Sequence, residues 1–358
     1  MLMGLFKDML SSEQSIFKNE DALNFEFIPK LIPYRDNQQF KIANCIKPLF
    51  QQRDGKHVLV HGSPGVGKTV AIKHIFRELE EQTEEIVPIY INCWQKNTSF
   101  KIILDMCEQL GYKFTQNKRK EELFSVVKQM LNKRAVVFCF DEIDKLEEVD
   151  FIYSILEEIH KKTIILVTNF KTWFAEVDPR IKSRLIPETV EFYAYNLNEV
   201  TGILKQRISY AFVEGSFEED AVLAIARKAF EQEDVRKGIF MLKEAGMIAE
   251  EQSSKKITAE HAKKAVDKLI DFNVKNSSDL QDESKFILGI IKQNEGKKIG
   301  DLFKIYQDNK GLMTYKTFQR HVQKLENSNF VVLTKIEGGS QGNTTLIHLK
   351  KEKKLTDF

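Results

Sequence analysis

Short apolar runs alternate with longer amphipathic segments between residues 50 and 195 of the chain. The runs are rich in Val, Ile and Phe, which favours strands, and the segments between them repeat apolar residues at helical spacing. Because helical segments separate the strands, the pattern predicts a parallel sheet covered by helices on both faces, and therefore an α/β fold. The predicted strands cover residues 57–61, 87–92, 135–140, 163–168 and 189–192.

The pattern changes to helices alone from residue 197 to about residue 272. Apolar and alanine positions recur at helical spacing in the runs AVLAIARKAF and AGMIAEEQ. This part of the chain is predicted to form a small helical bundle. The polar run NVKNSS at 273–278 follows it and is predicted to be a connection.

Three amphipathic segments and a hairpin make up the rest of the pattern. The segments cover residues 283–294, 299–309 and 315–327, and the runs VVLTKIEGG and TTLIHLK then flank a glycine-rich tip. Three helices followed by a two-stranded hairpin are typical of a winged helix-turn-helix domain. The predicted domains are an α/β domain with its N-terminal segment at 1–195, a helical lid at 196–275 and a winged-helix domain at 276–358.

Composition and charge limit the classes of function. Of the 358 residues 42% are hydrophobic, and the formal net charge is only +2, so any nucleic-acid surface must be local. The 4 cysteines include no Cys-x-x-Cys pair, which argues against a zinc site or a disulfide framework. No apolar run approaches the roughly 20 residues of a membrane span, and the start MLMGLFKDML is interrupted by Lys7 and Asp8. A soluble cytoplasmic protein without a membrane partner is expected.

The sequence HVLVHGSPGVGKT at 57–69 carries the most specific chemistry of the chain. A predicted strand ends in a glycine-rich turn, and a helix begins at the Lys-Thr pair. Glycines let backbone N–H groups point at a phosphate chain, and the helix N-terminus adds positive potential. Lys68 is then expected to reach the β- and γ-phosphates of a nucleoside triphosphate, and Thr69 to bind Mg²⁺. The predicted nucleotide-binding residues of this loop are Gly62, Ser63, Pro64, Gly65, Val66, Gly67, Lys68, Thr69 and Val70.

An acidic pair, Asp141 and Glu142, follows the predicted strand at 135–140. Because parallel strands end at one edge of a sheet, Asp141 is expected beside the phosphate loop, where it holds Mg²⁺ through water. Glu142 is the candidate general base that polarises the attacking water. Asn169 ends the next strand and is a candidate to position the same water, the role called sensor 1. The alternative for Asn169 is an asparagine that simply turns the chain.

Three arginines are candidates to reach the phosphates from other parts of the chain. Arg180 and Arg184 lie in the run DPRIKSRL, and either could be supplied to a neighbouring subunit's nucleotide, with Arg184 preferred. Exposed helix charge is the alternative for both. Arg236 falls in the first turn of a predicted helix, where the helix dipole disfavours a cation. An anionic ligand explains that placement, so Arg236 is the candidate sensor 2 residue, with a solvated surface arginine as the alternative.

The C-terminal segment carries candidates for DNA contact. From residue 276 onward there are 14 Lys and Arg against 10 Asp and Glu, a mild positive excess. The helix at 315–327 has Phe318, Val322 and Leu325 on its inner face, which leaves hydroxyls and cations outside for phosphates and base edges. A winged helix used for protein contacts is the alternative. The predicted DNA-binding residues are Thr314, Lys316, Thr317 and Arg320 and, at the hairpin, Lys335, Gly339, Ser340, Gln341 and Asn343.

Together these motifs resemble the AAA+ family, and within it the replication initiators of the archaeal origin-recognition type. The resemblance rests on IPYRD, GSPGVGKT, FDEIDKL, DPRIKSRL and DVRKGIFMLKEAG, in that order, and on the winged tail. It implies an ATPase that uses ATP, ADP and Mg²⁺ as a switch, binds double-stranded origin DNA and helps to recruit the replicative helicase. It also implies that Tyr34 and Arg35 lie near the adenine base, that self or paralogue contacts supply an arginine finger, and that the protein associates with the nucleoid.

Two other assignments stay open from the residues. A signalling or effector ATPase, whose winged domain docks protein rather than DNA, has the same order of modules. A clamp-loader-type ATPase has a similar core, but the hairpin runs argue against its helical collar. The segment 98–120, where the initiators carry an additional helical element that contacts DNA, is rich in Lys but otherwise departs from their pattern. DNA contact by that segment therefore stays open as well.

Overall fold

A computed structural model describes residues 15–278, 282–309, 311, 313–327, 330–336 and 344–349. The chain divides into two compact units, one up to Val266 and one from Asp267 onward. The first unit contains both a sheet and a helical bundle, so the domain boundary predicted at residue 195 falls inside it. The boundaries at 195 and 275 stay predictions. Among the described residues, no helix combines the length and the apolar character that crossing a membrane requires.

The sheet of the first unit has five strands: β1 (Val58–His61), β2 (Ile86–Asn92), β3 (Ala135–Asp141), β4 (Lys162–Thr168) and β5 (Glu188–Glu191). All neighbouring pairs are parallel, and the strand order is β2-β3-β4-β1-β5. The predicted α/β class is confirmed, and every predicted strand agrees with the observed one to within one residue at each end. The strand before the phosphate loop therefore lies inside the sheet, next to β4.

Helices cover both faces of this sheet. They are α1 (Asp36–Ile46), α2 (Lys68–Gln82), α3 (Ser99–Gln109), α4 (Lys120–Leu131), α5 (Asp150–Glu158), α6 (Trp173–Glu176) and α7 (Pro179–Leu185), with 3-10 turns at Glu20–Leu23, Lys47–Gln51 and Ile143–Lys145. One buried apolar cluster includes residues of α3, α4, α5 and α7, and a second includes residues of α1 and α2. Strand β3 is buried along its whole length because it contributes to both clusters.

Four helices follow the sheet: α8 (Leu197–Ala211), α9 (Glu219–Glu231), α10 (Val235–Glu251) and α11 (Ala259–Ser278). The start of α8 is fixed by a capping box in which Asn196 and Glu199 satisfy each other's backbone N–H groups. The connection predicted at 273–278 is wrong, because α11 continues to Ser278. That run contains no Gly or Pro, and extending an existing helix costs less than starting one.

A strap formed by residues 15–31 joins this helical bundle to the sheet domain. On the bundle side, the guanidinium of Arg207 in α8 donates to the backbone oxygen of Ala22, at 2.9 Å. On the other side, the guanidinium of Arg77 in α2 donates to the backbone oxygen of Pro29, at 3.0 Å. The strap is therefore hydrogen-bonded both to the bundle and to the helix that begins at the phosphate loop.

The second unit contains α12 (Asp282–Gln293), α13 (Ile299–Asp308), α14 (Tyr315–Asn327), β6 (Val331–Ile336) and β7 (Thr344–Leu349). The two strands pair in antiparallel register, from Val331 opposite Leu349 to Ile336 opposite Thr344. Tyr306, Phe318 and Ile347 are fully buried in its core, which joins the helices to the hairpin. This order of elements is that of a winged helix, as predicted.

Candidate nucleotide-binding site

The phosphate loop joins the end of β1 to the start of α2, and two glycines set its geometry. Gly65 and Gly67 have φ angles of 81° and 86°, in the left-handed region that residues with a Cβ rarely adopt. A Cβ on Gly65 would lie 2.3 Å from Oδ1 of Asp234, which precedes α10. The loop therefore meets the helical bundle at a point where no side chain fits.

Lys68 lies in the first turn of α2 and is only 7% exposed. Its Nζ donates hydrogen bonds to the backbone oxygens of Gly62 (2.6 Å) and Ser63 (2.9 Å) and to Oδ1 of Asn169 (2.8 Å). Burial lowers the pKa of Lys68 to about 8, against the raising effect of Asp141. The ammonium group is thus held inside the loop and in contact with the candidate sensor 1 residue.

Asp141 ends β3 and is buried beside the loop. Its Oδ2 accepts hydrogen bonds from the hydroxyls of Thr69 (2.6 Å) and Tyr90 (2.7 Å), and its Oδ1 accepts one from the backbone N–H of Glu142 (2.9 Å). Burial, together with the charge of Asp141, raises the pKa of Tyr90, so its phenol stays protonated. Helix α2 and strand β2 therefore both hold the carboxylate that ends β3.

Glu142 follows Asp141 with φ 54° and ψ 44°, a left-handed conformation. Such backbone costs an ordinary residue about 1 to 3 kcal/mol. Burial, followed by the charges of Asp141 and Asp144, raises the pKa of Glu142. A carboxylate with a raised pKa is the stronger proton acceptor, as a general base requires.

The turn after β4 is tied to the turn after β3. The Thr168 hydroxyl donates to Oδ1 of Asp144, at 3.1 Å, and accepts a hydrogen bond from the backbone N–H of Phe170, at 3.0 Å. The other carboxylate oxygen of Asp144 lies 3.1 Å from Nζ of Lys145. Asn169 lies between Thr168 and Phe170, so these contacts fix the backbone that presents its side chain to Lys68.

Arg236 is in the first turn of α10, and Asp234 caps that helix. Oδ1 of Asp234 accepts the backbone N–H of Arg236 at 2.9 Å, and Oδ2 accepts its guanidinium at 2.8 Å. After burial and Asp141, the charge of Arg236 is the next influence on the pKa of Lys68, which it lowers. The candidate sensor 2 residue therefore lies within electrostatic reach of the loop, paired with a carboxylate.

Arg35 is only 3% exposed, and it is hydrogen-bonded to the backbone of the phosphate loop. Its guanidinium donates to the backbone oxygens of Val66 (3.2 Å), Tyr34 (3.2 Å) and Tyr193 (2.6 Å). The same group lies 3.7 Å from the centroid of the Tyr195 ring. Tyr34 is 44% exposed, so its side chain is far more accessible than that of Arg35. Contact of either residue with adenine stays a prediction.

The two candidate finger arginines lie on α7 and pair with carboxylates of their own chain. Arg180 pairs with Asp178, at 3.0 Å, and Arg184 pairs with Glu157, at 2.7 Å. Arg184 also donates to the hydroxyl of Tyr153, at 3.0 Å. Within the described part of the chain, neither is hydrogen-bonded to the phosphate loop. Supply of either to another subunit stays a prediction.

Four candidates for DNA contact lie at the start of α14. Lys316 and Arg320 are exposed, whereas Phe318 between them is buried. The hydroxyls of Thr314 and Thr317 are 3.0 Å apart, and the Thr317 N–H donates to Oγ1 of Thr314 at 3.4 Å. The backbone of Lys335 is in β6, but its side chain lies outside the described residues, as do the hairpin candidates Gly339, Ser340, Gln341 and Asn343.

Three residues at this site were not predicted from the sequence: Tyr90, Asp144 and Asp234. Tyr90 precedes Asn92 by two positions, and Asn92 is the register partner of Asp141, so strand alternation places Tyr90 on the Asp141 face. Asp234 carries the usual signal of an N-cap before a helical run. The contact of Asp144 with Thr168 has no sequence signal, since it depends on how the two turns approach each other.

Comparisons with known proteins match both parts of the first unit. The family model of an AAA domain matches residues 51–171, and that of the Cdc6 AAA+ ATPase-type lid domain matches residues 201–267. The chain is 30% identical to the ORC1-type DNA replication protein of Pyrococcus furiosus, over 85% of this chain and 78% of the relative. It is 28% identical to the ORC1-type DNA replication protein 1 of Archaeoglobus fulgidus, over 99% of this chain and 92% of the relative. Its fold is similar to that of the Aeropyrum pernix ORC1 protein in complex with DNA, with a TM-score of 0.74 and 23% identity over 95% of each chain.

Proposed function

Because this chain belongs to the family of ORC1-type DNA replication proteins, which are AAA+ ATPases, we propose that it initiates replication as an ATP-controlled, origin-binding protein. The observation that carries the proposal is the meeting of Lys68, Asp141 and Asn169 at one edge of the sheet, with Arg236 within electrostatic reach. These groups supply what a triphosphate requires, namely a cation, a carboxylate for a metal, and polar groups for the attacking water.

Triphosphate binding would use groups that already point into the loop. Lys68 would exchange the backbone oxygens of Gly62 and Ser63 for phosphate oxygens, which are stronger acceptors because they are charged. The N–H groups at the start of α2 would add donors and a positive potential. The lysine is costly to bury without an anion, so nucleotide binding would relieve that cost.

Mg²⁺ suits the donor atoms of this site. The Thr69 hydroxyl and the Asp141 carboxylate are 2.6 Å apart, and Mg²⁺ prefers oxygen ligands. In the part of the chain that the structure describes, no group of three or more His, Cys, Asp or Glu side chains could hold a metal ion. The ion would therefore depend on the nucleotide, with Thr69 as a direct ligand and Asp141 acting through water. Its charge would neutralise phosphate oxygens during hydrolysis.

Hydrolysis would serve as a switch. Glu142 would accept the proton of the attacking water, and Asn169 would orient that water. Arg236 would leave Asp234 for the γ-phosphate when ATP is present, and return to Asp234 when only ADP remains. Arg236 lies in the first turn of a lid helix. Its exchange between Asp234 and the γ-phosphate would therefore change the position of the lid between the ATP and ADP states.

DNA contact is assigned to the start of α14. In a helix-turn-helix the N-terminal part of the second helix enters the major groove, and here that part carries the exposed Lys316 and Arg320. The Thr314 and Thr317 hydroxyls would contact phosphates, and Arg320 would reach base edges. We assign the replicative helicase, and an arginine finger from a second copy or paralogue, as further partners, in the cytoplasm next to the nucleoid.

The experiment that tests this function measures binding of the full chain to origin duplex and to shuffled duplex across a salt series, with ATP and with ADP. We expect tighter binding to the origin duplex, and affinities that fall steeply with salt. Equal affinity for both duplexes at every salt concentration would remove origin specificity. A complete lack of DNA binding would favour the signalling ATPase with a protein-docking winged domain.

A further inference from the structure

Asp141 receives two hydroxyl hydrogen bonds on one oxygen, and they come from two different elements. Thr69 donates from helix α2 at 2.6 Å, and Tyr90 donates from strand β2 at 2.7 Å. The Thr69 oxygen is the proposed Mg²⁺ ligand, and it can bind the metal through a lone pair while its proton stays hydrogen-bonded to Asp141. Of the two hydroxyls on this oxygen of Asp141, the Tyr90 hydroxyl is the one without a proposed role as a metal ligand. Among the described residues, Thr69 and Tyr90 are the side-chain donors to this oxygen.

The backbone of Tyr90 is held from outside the sheet. Strand β2 is at the edge of the sheet, so the outward N–H and C=O groups of Tyr90 have no neighbouring strand. The side-chain amide of Gln109 satisfies both, since its Oε1 accepts the Tyr90 N–H at 3.2 Å and its Nε2 donates to the Tyr90 oxygen at 2.8 Å. This contact fixes the position from which the hydroxyl reaches Asp141.

The ring of Tyr90 also contacts helix α2, which begins at the phosphate loop. Nζ of Lys73, in α2, lies 5.0 Å from the ring centroid, a distance typical of a cation–π contact. Lys73 follows Thr69 by about one helical turn, so both lie on the same face of α2. The Tyr90 ring therefore packs on the helix face that carries the proposed metal ligand Thr69. Tyr90 is therefore held between strand β3, which carries Asp141 and pairs with β2, and helix α2, which carries Thr69.

We propose that Tyr90 is a positioning residue for Mg²⁺. Its hydroxyl donates to Oδ2 of Asp141, so the carboxylate would keep one orientation beside the proposed metal ligand Thr69. The inference rests on the proposed nucleotide function, and it separates two properties of the site. Loss of the hydroxyl should weaken the response to Mg²⁺, because partners that orient metal ligands tune metal affinity. It should leave metal-free nucleotide binding unchanged, because the Tyr90 hydroxyl bonds to Asp141 and makes no hydrogen bond to residues 62–68 among those described.

The test compares the wild-type chain with Tyr90→Phe, using a fluorescent, non-hydrolysable ATP analogue. The affinity is measured first in EDTA, and Mg²⁺ is then titrated at a fixed analogue concentration. For Tyr90→Phe we expect the Mg²⁺ concentration at half-maximal response to rise about tenfold, with the same affinity as wild type in EDTA. Tyr112→Phe is the matched control, because the Tyr112 hydroxyl bonds to Lys118 away from the site. It should behave as wild type.

The outcomes separate this inference from the proposed function. If wild type shows no Mg²⁺-dependent tightening, the nucleotide function fails. If wild type responds to Mg²⁺ and Tyr90→Phe responds at the same concentration, the positioning role is overturned. Melting of the nucleotide-free proteins checks the fold, and Tyr90→Met, which also lacks the hydroxyl, must raise the Mg²⁺ requirement as well. An equal loss of affinity in EDTA and in Mg²⁺ would make Tyr90 a structural residue only.

Discussion

Nζ of Lys68 and Oδ1 of Asn169 lie 2.8 Å apart, which joins the phosphate loop to the end of β4. The register explains the contact, since His61 at the end of β1 pairs with Thr168 at the end of β4. The residues that follow each strand therefore emerge side by side. The lysine of the loop and the amide that would sense the γ-phosphate are thus arranged by the sheet itself.

Lys68→Met is expected to abolish tight nucleotide binding and to change how stability depends on pH. The pKa of Lys68 falls from 10.5 to about 8 in the folded chain. Between these values the unfolded chain holds more protons, so the wild-type free energy of unfolding rises with pH. The rise due to this group is about 2 kcal/mol between about pH 7 and about pH 10. Urea unfolding of wild type and Lys68→Met at both pH values measures it. If the free energy of unfolding changed with pH in the same way in both proteins, the lowered pKa of Lys68 would be contradicted.

Glu142→Gln should bind ATP with wild-type affinity and hydrolyse it about 10² to 10⁴ times more slowly. The amide preserves shape and backbone but cannot accept the proton of the attacking water. Burial raises the pKa of Glu142, so this base becomes protonated at a higher pH than an ordinary carboxylate. As the pH is lowered, wild-type hydrolysis should therefore be lost at a higher pH than an ordinary carboxylate would give. Phosphate release and equilibrium ATP binding are the two measurements. Normal turnover in Glu142→Gln would refute the assignment of the base.

Arg236 and Asp234 should have opposite effects on ATP binding. Arg236→Ala removes the proposed contact with the γ-phosphate, so we expect the preference for ATP over ADP to fall about tenfold, in line with a charge-assisted hydrogen bond. Asp234→Asn keeps an acceptor for the helix cap but weakens the competing ion pair, so ATP affinity should rise. Calorimetric titration of each variant with ATP and ADP gives both values. Equal loss of both nucleotides in Arg236→Ala would mean a structural role only.

Lys316→Ala and Arg320→Ala are expected to affect DNA binding in different ways. Removing a phosphate contact at Lys316 should weaken binding to all duplexes and reduce the slope of affinity against salt by about one. Removing a base contact at Arg320 should instead reduce the preference for origin over shuffled duplex. Lys292→Ala removes a charge of the same kind from an exposed position on α12 and serves as control. Wild-type binding in both α14 variants would support a protein-docking role for the winged unit.

Arg184 can be tested by mixing two inactive variants. Lys68→Ala lacks a working nucleotide site, and Arg184→Ala lacks the proposed finger, so each alone should hydrolyse little ATP. In a mixture, the Lys68→Ala subunit still offers Arg184 to the intact site of its neighbour, and activity should return in part. Arg180→Ala in place of Arg184→Ala decides between the two arginines. If ATP hydrolysis did not recover in either mixture, supply of an arginine to a neighbouring subunit would be ruled out.

The sequence predicted the sheet well because its signals are local. Strand ends fell within one residue, since each strand is a β-branched run bounded by polar residues. The same locality misled at 273–278, where a polar run is helical because the helix before it extends. Polarity alone therefore did not mark the end of α11.

Contacts between strands were harder to predict than the motifs themselves. Asp141 and Lys68 stand in motifs whose chemistry identifies them, but Tyr90 matters only because β2 lies beside β3. Asp144 depends in the same way on the turn after β4. Strand order and the packing of turns are set by the whole core, so a single sequence gives no direct access to them.

The strap of residues 15–31 has a practical consequence for making a minimal ATPase fragment. The AAA domain match begins at residue 51, which invites a shortened protein that starts there. Such a fragment would deprive Arg77 of the Pro29 oxygen and Arg207 of the Ala22 oxygen. Arg207 is only 5% exposed, and a buried donor left without a partner costs about 1 to 3 kcal/mol, a large share of a domain's stability. Fragments intended for crystallisation or kinetics should therefore keep the strap, even though the family signature does not include it.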